Sequence, residues 1–151
     1  MKRNLLLLLA LPLIFAACTK TVIVPEEQEN LVGRWQLSYA EKQGNHGSQE
    51  FYTGYEEGYF YFYQNGQAEF DDGYERLTGT WELRWVNDGY YDYNGNYQSG
   101  SRRVFRLYLS NGHNGHILDW DFDEGWFNNR NNFTASFDTY NYTYRYSFIR
   151  R

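Results

Sequence analysis

The chain has 151 residues and a formal net charge of −5 at pH 7, with 14 basic and 19 acidic side chains. An acidic protein is a poor partner for phosphate backbones, so nucleic-acid binding is disfavoured. Cys18 is the one cysteine in the sequence, which excludes an intrachain disulfide. The aromatic share is 21%, with 16 Tyr against 2 Pro, and aromatic residues favour half-buried β-strands.

The N-terminal residues have the composition of an export signal. Lys2-Arg3 precedes an apolar run from Leu5 to Phe15, which is followed by Ala16-Ala17-Cys18. The apolar run is too short to span a bilayer, which needs about 20 residues. The pattern therefore predicts a cleaved signal peptide over residues 1–17 and no membrane-spanning helix there.

Ala16-Ala17-Cys18 resembles the lipobox of bacterial lipoproteins, with Phe15 where that family usually has Leu. The resemblance implies cleavage before Cys18 and attachment of fatty-acyl chains such as palmitate, which would anchor the protein to the lipid bilayer. A secreted protein with an incidental thiol is the alternative. Thr19 follows the cysteine, and in this family that implies the outer membrane, facing the periplasm, with surface exposure left open.

Residues 18–30 have little to bury. Pro25 is followed by Glu26-Glu27-Gln28-Glu29, and this composition predicts a flexible tether between the lipidated cysteine and the rest of the chain. Residues 31–151 are numerous enough for one domain with a single core.

Alternation of apolar and polar residues predicts six strands in this domain. The apolar series are Trp35, Leu37 and Tyr39; Trp81, Leu83 and Trp85; Phe105, Leu107 and Leu109; Leu118, Trp120 and Phe122; Phe133, Ala135 and Phe137; and Tyr142, Tyr144, Tyr146 and Phe148.

Two further strands, over residues 59–63 and 67–70, flank Gln64-Asn65-Gly66, and Asn-Gly predicts a hairpin with a two-residue type I′ turn. Residues 48–55 fit either an extra strand or a loop. Eight or nine short strands separated by turn signals predict an all-β protein, either an antiparallel barrel or a sandwich.

The pattern L-x-G-x-W-x-L occurs twice, from Leu31 to Leu37 and from Leu77 to Leu83. Glycine permits a bend or a close approach where a strand begins, and the tryptophan two residues later can enter the core. We therefore interpret Gly33, Trp35 and Gly79 as structural residues.

Gly33 and Trp35 at the start of the first strand of a small exported β-protein resemble the lipocalin and calycin superfamily, especially the lipocalin-like bacterial lipoproteins. The resemblance implies an eight- to nine-stranded antiparallel up-and-down barrel whose first-strand tryptophan packs beneath an arginine near the last strand. Arg150 is the first candidate for that arginine and Arg145 the second, and a cation–π contact of this kind contributes about 0.5–2 kcal/mol.

The first candidate site lies inside the predicted barrel. If the barrel has an open mouth, aromatic side chains can line a pocket for a small apolar or amphipathic ligand. The same side chains can instead fill the interior completely, because a small eight-stranded barrel has little spare volume. The residues concerned are Trp81, Trp85, Phe105, Trp120 and Phe122.

The second candidate is the loop over residues 87–100, which is rich in Tyr, Asn and Gly. This mixture is typical of adaptable recognition loops, so the loop can bind an envelope protein or a glycan. A long hairpin loop without any partner is the alternative. The recognition residues predicted there are Tyr90, Tyr91, Tyr93 and Tyr97.

Metal and catalytic sites are not predicted. Residues 119–125 contain alternating acids, but the glycine and the twelfth position do not fit an EF-hand loop. His113 and His116 have no further ligand nearby in the sequence. No nucleophile, histidine and carboxylate form a recognisable group, so we predict a non-enzymatic, cofactor-free envelope protein that binds a small ligand, or alternatively a protein or glycan.

Overall fold

The computed structural model of the chain describes residue 28 and residues 30–92, 94–113 and 115–151. The predicted signal peptide, Cys18, most of the tether and Tyr93 lie outside the described residues. The described residues form twelve β-strands: β1 (Gly33–Gly44), β2 (Gly47–Glu50), β3 (Tyr59–Phe62), β4 (Gln67–Asp71), β5 (Arg76–Asn87), β6 (Tyr90–Tyr91), β7 (Tyr97–Gln98), β8 (Ser101–Ser110), β9 (Ile117–Phe122), β10 (Glu124–Asn129), β11 (Asn132–Asp138) and β12 (Thr143–Arg150).

Ten of these strands form one antiparallel sheet in the order β10-β11-β12-β1-β3-β4-β5-β8-β9, with β2 added to β1. Strands β6 and β7 form a separate two-stranded sheet. The first strand pairs with the last, so that Leu37 lies opposite Phe148. The predicted all-β, antiparallel class is therefore confirmed.

The two ends of the sheet, β9 and β10, are consecutive in the chain and are separated by Asp123 alone. In β9, Phe122 pairs with Phe105 of β8, whereas in β10, Glu124 pairs with Ser136 of β11. Residues 117–129 thus form one stretch of chain. Its first half, β9, pairs with β8, and its second half, β10, pairs with β11. A closed ring of hydrogen-bonded strands is not found among the described residues.

The core consists of aromatic rings that join strands which are not neighbours in the sheet. The ring centroids of Phe60 and Phe148 are 5.7 Å apart, and those of Phe105 and Phe133 are 5.2 Å apart. All four side chains are buried. The sheet therefore curls until its inner faces meet, and each fully buried Phe contributes about 1.5–3 kcal/mol to stability.

Most of the alternating series point as expected, but three residues do not. The register shifts between Leu37 and Tyr39, and this bulge turns Tyr39 outwards and buries Ala40 instead. Trp85 is also exposed, because it lies near the end of β5, beyond the part of the strand that packs on the core. Tyr142 is exposed as well, because it lies in the turn that precedes β12. The prediction that Tyr39, Trp85 and Tyr142 face inwards is therefore wrong.

The hairpin between β3 and β4 is confirmed, but its turn is not type I′. The Gly66 amide donates to the carbonyl of Tyr63 at 3.0 Å, and the Tyr63 amide donates to the carbonyl of Gln67 at 2.9 Å. Gly66 has a φ of +79°, whereas Asn65 does not have a positive φ. A type I′ turn needs positive φ at both central residues, so the loop is one residue longer than predicted.

Residues 48–55, which the sequence left open between a strand and a loop, belong partly to a strand and partly to a loop. Residues 47–50 form β2, and residues 51–58, which we call the strap, cross one end of the core. The strap inserts Phe51 against Tyr146, with ring centroids 5.8 Å apart, and Tyr55 against Phe70 and Trp120, at 5.1 and 5.3 Å. The strap therefore closes that end of the core with aromatic side chains.

Candidate functional site

The five aromatic residues predicted to line a pocket have different environments. Phe105 and Phe122 are buried and stack with centroids 5.6 Å apart. Trp81 is almost fully buried, and its indole N–H donates to the carbonyl of Tyr63 at 3.0 Å. Trp85 is 55% exposed, and the Arg103 guanidinium lies 5.6 Å from its ring centre. Three of the five thus lie in the packed core and one lies outside it.

Trp120, the fifth residue, lines a cavity of about 220 Å³, whose other lining residues are Asp119, Asp121, Phe122, Phe137 and Tyr146. The ring centroids of Trp120 and Tyr146 lie 5.1 Å apart, so aromatic rings from β9 and β12 pack together beside the cavity. Ligand pockets for drug-sized molecules usually measure about 300–1,000 Å³. This cavity is therefore large enough for a side chain or a small aromatic fragment.

The structural motif predicted around Trp35 is present. The Arg150 guanidinium carbon lies 4.4 Å from the centre of the Trp35 ring, as the resemblance to lipocalins implies. Arg150 Nη1 also donates to the carbonyl of Val32 at 2.8 Å, and Trp35 donates its indole N–H to the carbonyl of Leu31 at 2.7 Å. Burial lowers the pKa of Arg150. Arg145, the second candidate, instead pairs with Glu41 at 3.5 Å.

The glycines of the repeated motif are required for close approaches. A Cβ at Gly33 would lie 2.7 Å from Arg150 Nη1, and Gly33 has a φ of +132°, which a side chain disfavours. A Cβ at Gly79 would clash with the carbonyl oxygen of Tyr108 in the neighbouring strand β8. Gly79 therefore lets β5 and β8 pack closely.

The Tyr-rich loop folds into the small hairpin of β6 and β7, which we call the tyrosine hairpin (residues 87–100). Tyr91 pairs with Tyr97 across its two strands, and their rings meet edge to face with centroids 5.3 Å apart. These two side chains are 69% and 60% exposed. The hairpin therefore presents a pair of aromatic rings to solvent.

Tyr90 attaches this hairpin to the main sheet. Its hydroxyl donates to Glu124 at 3.0 Å, and the Arg102 guanidinium lies 4.9 Å from its ring centre. Arg102 also donates to the carbonyl of Asp123 at 2.6 Å and lies 3.3 Å from the Asp88 carboxylate. Burial and the hydrogen bond to Glu124 raise the pKa of Tyr90 to about 12. The base of the hairpin is thus fixed at the junction of β9 and β10.

Asp92 organises the turn of the tyrosine hairpin. Its carboxylate accepts hydrogen bonds from the amides of Asn94 and Asn96, at 3.0 and 2.9 Å, and from the Gln98 side chain at 3.1 Å. These bonds, chiefly the one from the Asn96 amide, lower the pKa of Asp92. Gly95 completes the turn with a φ of +80°. The exposed rings are therefore carried by an internally hydrogen-bonded turn.

The structure brings together three residues that the sequence did not group. His116 Nδ1 lies 2.6 Å from Glu75 Oε2, and His116 Nε2 lies 3.1 Å from the hydroxyl of Tyr55 in the strap. Burial and the charge of Glu75 raise the pKa of Tyr55. The hydroxyl therefore keeps its proton, and the group holds the strap in place. The three residues lie on segments far apart in the chain, so no local signal could reveal them.

Within the part of the chain that the structure describes, no group of three or more His, Cys, Asp or Glu side chains is arranged to hold a metal ion. The same residues include no helix long and apolar enough to cross a membrane. Comparison with family models, with curated proteins and with solved structures finds no significant match to this chain.

Proposed function

We propose that the protein is an envelope-anchored recognition module that binds a glycan on the tyrosine hairpin. The observation that carries this proposal is the exposed, edge-to-face pair of Tyr91 and Tyr97 on a hairpin fixed at its base by Tyr90. Tyrosine offers a large contact area and a hydroxyl while losing little side-chain entropy on binding.

The chemistry of the hairpin favours a glycan over an apolar ligand. The faces of aromatic rings carry partial negative charge and attract the C–H groups on the face of a sugar ring. Asn94 and Asn96 are exposed in the turn of the same hairpin, and side-chain amide groups can exchange hydrogen bonds with sugar hydroxyls. Two rings set at 62° to each other suit a bent chain of at least two sugar units.

The proposed scaffold is a lipocalin-like up-and-down barrel in which residues 117–129 act as one bent strand. Counted in this way and without β2, the sheet has eight strands in meander order, with β12 returning to β1. The Arg150–Trp35 contact supports the resemblance to lipocalins. The aromatic contacts that fill the interior support a role as scaffold rather than as container.

The glycan proposal is tested by binding to purified cell-wall sacculi and to soluble chito-oligosaccharides. We expect Tyr91→Ala and Tyr97→Ala each to weaken binding at least fivefold. Tyr74→Ala is the matched control, because Tyr74 is fully exposed but lies outside the hairpin. Equal binding by all three variants, or no binding by the unaltered protein, would refute the proposal.

A second candidate function is the binding of a small apolar or amphipathic ligand, and the cavity beside Trp120 favours it. Its volume of about 220 Å³ accepts a small aromatic molecule such as indole. Titration with indole, followed by the chemical shifts of Phe122 and Tyr146, tests this candidate. Unchanged shifts at these residues would rule it out.

The proposed anchor is the acylated Cys18, which would hold the protein at the outer membrane with the domain on the periplasmic side. Two or three acyl chains bind a bilayer far more firmly than one, since each buried methylene contributes about 0.8 kcal/mol. The intact mass of protein extracted from membranes tests this proposal. A chain that begins at Cys18 without added acyl mass would contradict it.

A further inference from the structure

The outer edge of β9 is not hydrogen-bonded to any strand among the described residues. Strand β11 approaches this edge only near Phe122, where the Phe122 and Phe137 ring centroids lie 6.1 Å apart. Strand β9 pairs with β8 on one side and stands at the end of the sheet order. The chain leaves this edge at Asp123, where β10 begins to pair with β11. An unpaired edge presents a row of backbone N–H and C=O groups that can pair with another chain.

The register identifies which groups lie on this edge. Asn111 donates its amide to the carbonyl of His116, and from there hydrogen-bonded and non-hydrogen-bonded pairs alternate along β8 and β9. Asp119 lies opposite Tyr108 in a non-hydrogen-bonded pair, so its N–H and C=O point away from β8. The same holds for Ile117 and Asp121.

The two faces of this edge differ in chemistry. Asp119 and Asp121 are exposed on the outer face, and Asp121 pairs with Arg106 at 2.9 Å. Trp120 and Phe122 point to the inner face, and they line the cavity of about 220 Å³ together with both aspartates, Phe137 and Tyr146. A strand laid along the edge would therefore place alternate side chains beside carboxylates and into an aromatic cavity.

We propose that the edge of β9 binds an extended peptide segment by strand addition, with basic residues on its outer face and aliphatic residues on its inner face. Charge complementarity selects this partner, because lysines would lie beside the carboxylates of Asp119 and Asp121. The same carboxylates oppose pairing with a second copy of β9, since like charges directly across a pair of strands are destabilising. This inference does not depend on glycan binding by the tyrosine hairpin.

The test uses the full chain and a capped six-residue peptide of alternating lysine and valine. Affinity is measured by titration calorimetry, and the binding site by hydrogen exchange. We expect slower exchange at the amides of Ile117, Asp119 and Asp121 when the peptide is bound. Absence of binding, or protection confined to other strands, overturns the proposal.

Two N-methylated peptides serve as matched probes. One carries the methyl groups on its lysine amides and the other on its valine amides. Because the N–H groups of alternate residues in a strand point to opposite edges, each peptide lacks the N–H groups of one edge. Only one edge can pair with β9, so we expect one peptide to bind like the parent and the other to bind at least tenfold more weakly. Equal affinities show that backbone pairing is not involved and overturn the proposal.

Two protein variants complete the experiment. Asp119→Pro removes an N–H from the free edge without removing a hydrogen bond to β8, and proline is tolerated on edge strands. We expect it to weaken binding at least tenfold, whereas Asp119→Asn, which keeps the N–H, weakens it threefold at most. Equal affinity of the two variants argues against strand addition. If Asp119→Pro does not fold, the exchange data and the N-methylated peptides still decide the question.

Discussion

The guanidinium of Arg150 covers the indole of Trp35, so the last strand seals the end of the core at which the first strand begins. The carbon of the guanidinium lies 4.4 Å from the ring centre, and the same side chain donates to the carbonyls of Val32 and Asn30. One residue thus combines a cation–π contact with hydrogen bonds to the chain that precedes β1.

Arg150→Ala should lower the free energy of unfolding by about 1–3 kcal/mol, because it removes the contact with Trp35 and leaves the carbonyl of Val32 without its donor. Urea unfolding followed by tryptophan fluorescence measures the change. Arg84→Ala is the control, since Arg84 forms an exposed pair with Glu82 and its loss should cost less than about 0.5 kcal/mol. Equal effects of the two variants would contradict the sealing role of Arg150.

Gly79→Ala should destabilise the protein by about 1–3 kcal/mol, because the added Cβ would clash with the carbonyl of Tyr108 and force β5 away from β8. Thermal unfolding provides the measurement. Gly112→Ala is the matched substitution, because a Cβ there meets nothing within 4 Å and Gly112 lacks a positive φ. A melting temperature lowered as much by Gly112→Ala would show that close strand packing is not the cause.

The tyrosine hairpin should lose its attachment to the main sheet in alkaline solution, when the Tyr90 hydroxyl that donates to Glu124 loses its proton. The pKa of Tyr90 is about 12 in the folded protein against an ordinary value of 10.0, so the folded state holds this proton more tightly than the unfolded state. The stabilisation is complete below pH 10 and is lost as the pH rises towards 12. Tyrosine NMR titration measures the pKa directly.

Tyr90→Phe is the control for this prediction, because it removes the hydroxyl that donates to Glu124 and keeps the ring beneath Arg102. Amide exchange in β6 and β7 of this variant should not change between pH 10 and 12 beyond the intrinsic pH dependence. An ordinary pKa for Tyr90 in the unaltered protein would show that its hydroxyl is neither buried nor bonded to Glu124.

Asp92→Ala should speed amide exchange at Asn94 and Asn96 at least tenfold, because both amides lose the carboxylate that accepts their hydrogen bonds. Global stability should change by less than about 0.5 kcal/mol, since the hairpin is a sheet separate from the core. Glycan binding should weaken with the loss of order in the turn. A large fall in global stability would show instead that the hairpin is part of the main folding unit.

Tyr55→Phe should destabilise the protein by about 0.5–1.5 kcal/mol, through loss of the hydrogen bond to His116. Tyr55→Ala should cost about 3–5 kcal/mol, because it also removes the ring that packs on Phe70 and Trp120. Chemical unfolding distinguishes the two effects. Similar losses of unfolding free energy in both variants would show that Tyr55 stabilises the protein through its hydroxyl alone.

The alternation of residue types was sufficient to predict the class of fold and most of the core. Period-two patterns identified β5, β8, β9, β11 and β12, because a half-buried strand needs apolar side chains on one face only. The Arg150–Trp35 pair followed from a family resemblance, and the structure contains it. The Gln64-Asn65-Gly66 loop was predicted as a hairpin, although its turn type was wrong.

The sequence by itself thus determined most strands of the main sheet, most of their inward faces and the aromatic character of the exposed loop, because these depend on residues close together in the chain. It did not predict β6, β7 or β10. The tertiary structure decided the bulge that exposes Tyr39, the attachment of Tyr90 to Glu124 and the Tyr55–His116–Glu75 group. It also decided that, among the described residues, no strand pairs with the outer edge of β9. Each of these depends on how distant strands meet when the sheet curls, and strand register and curvature leave no local pattern in the sequence.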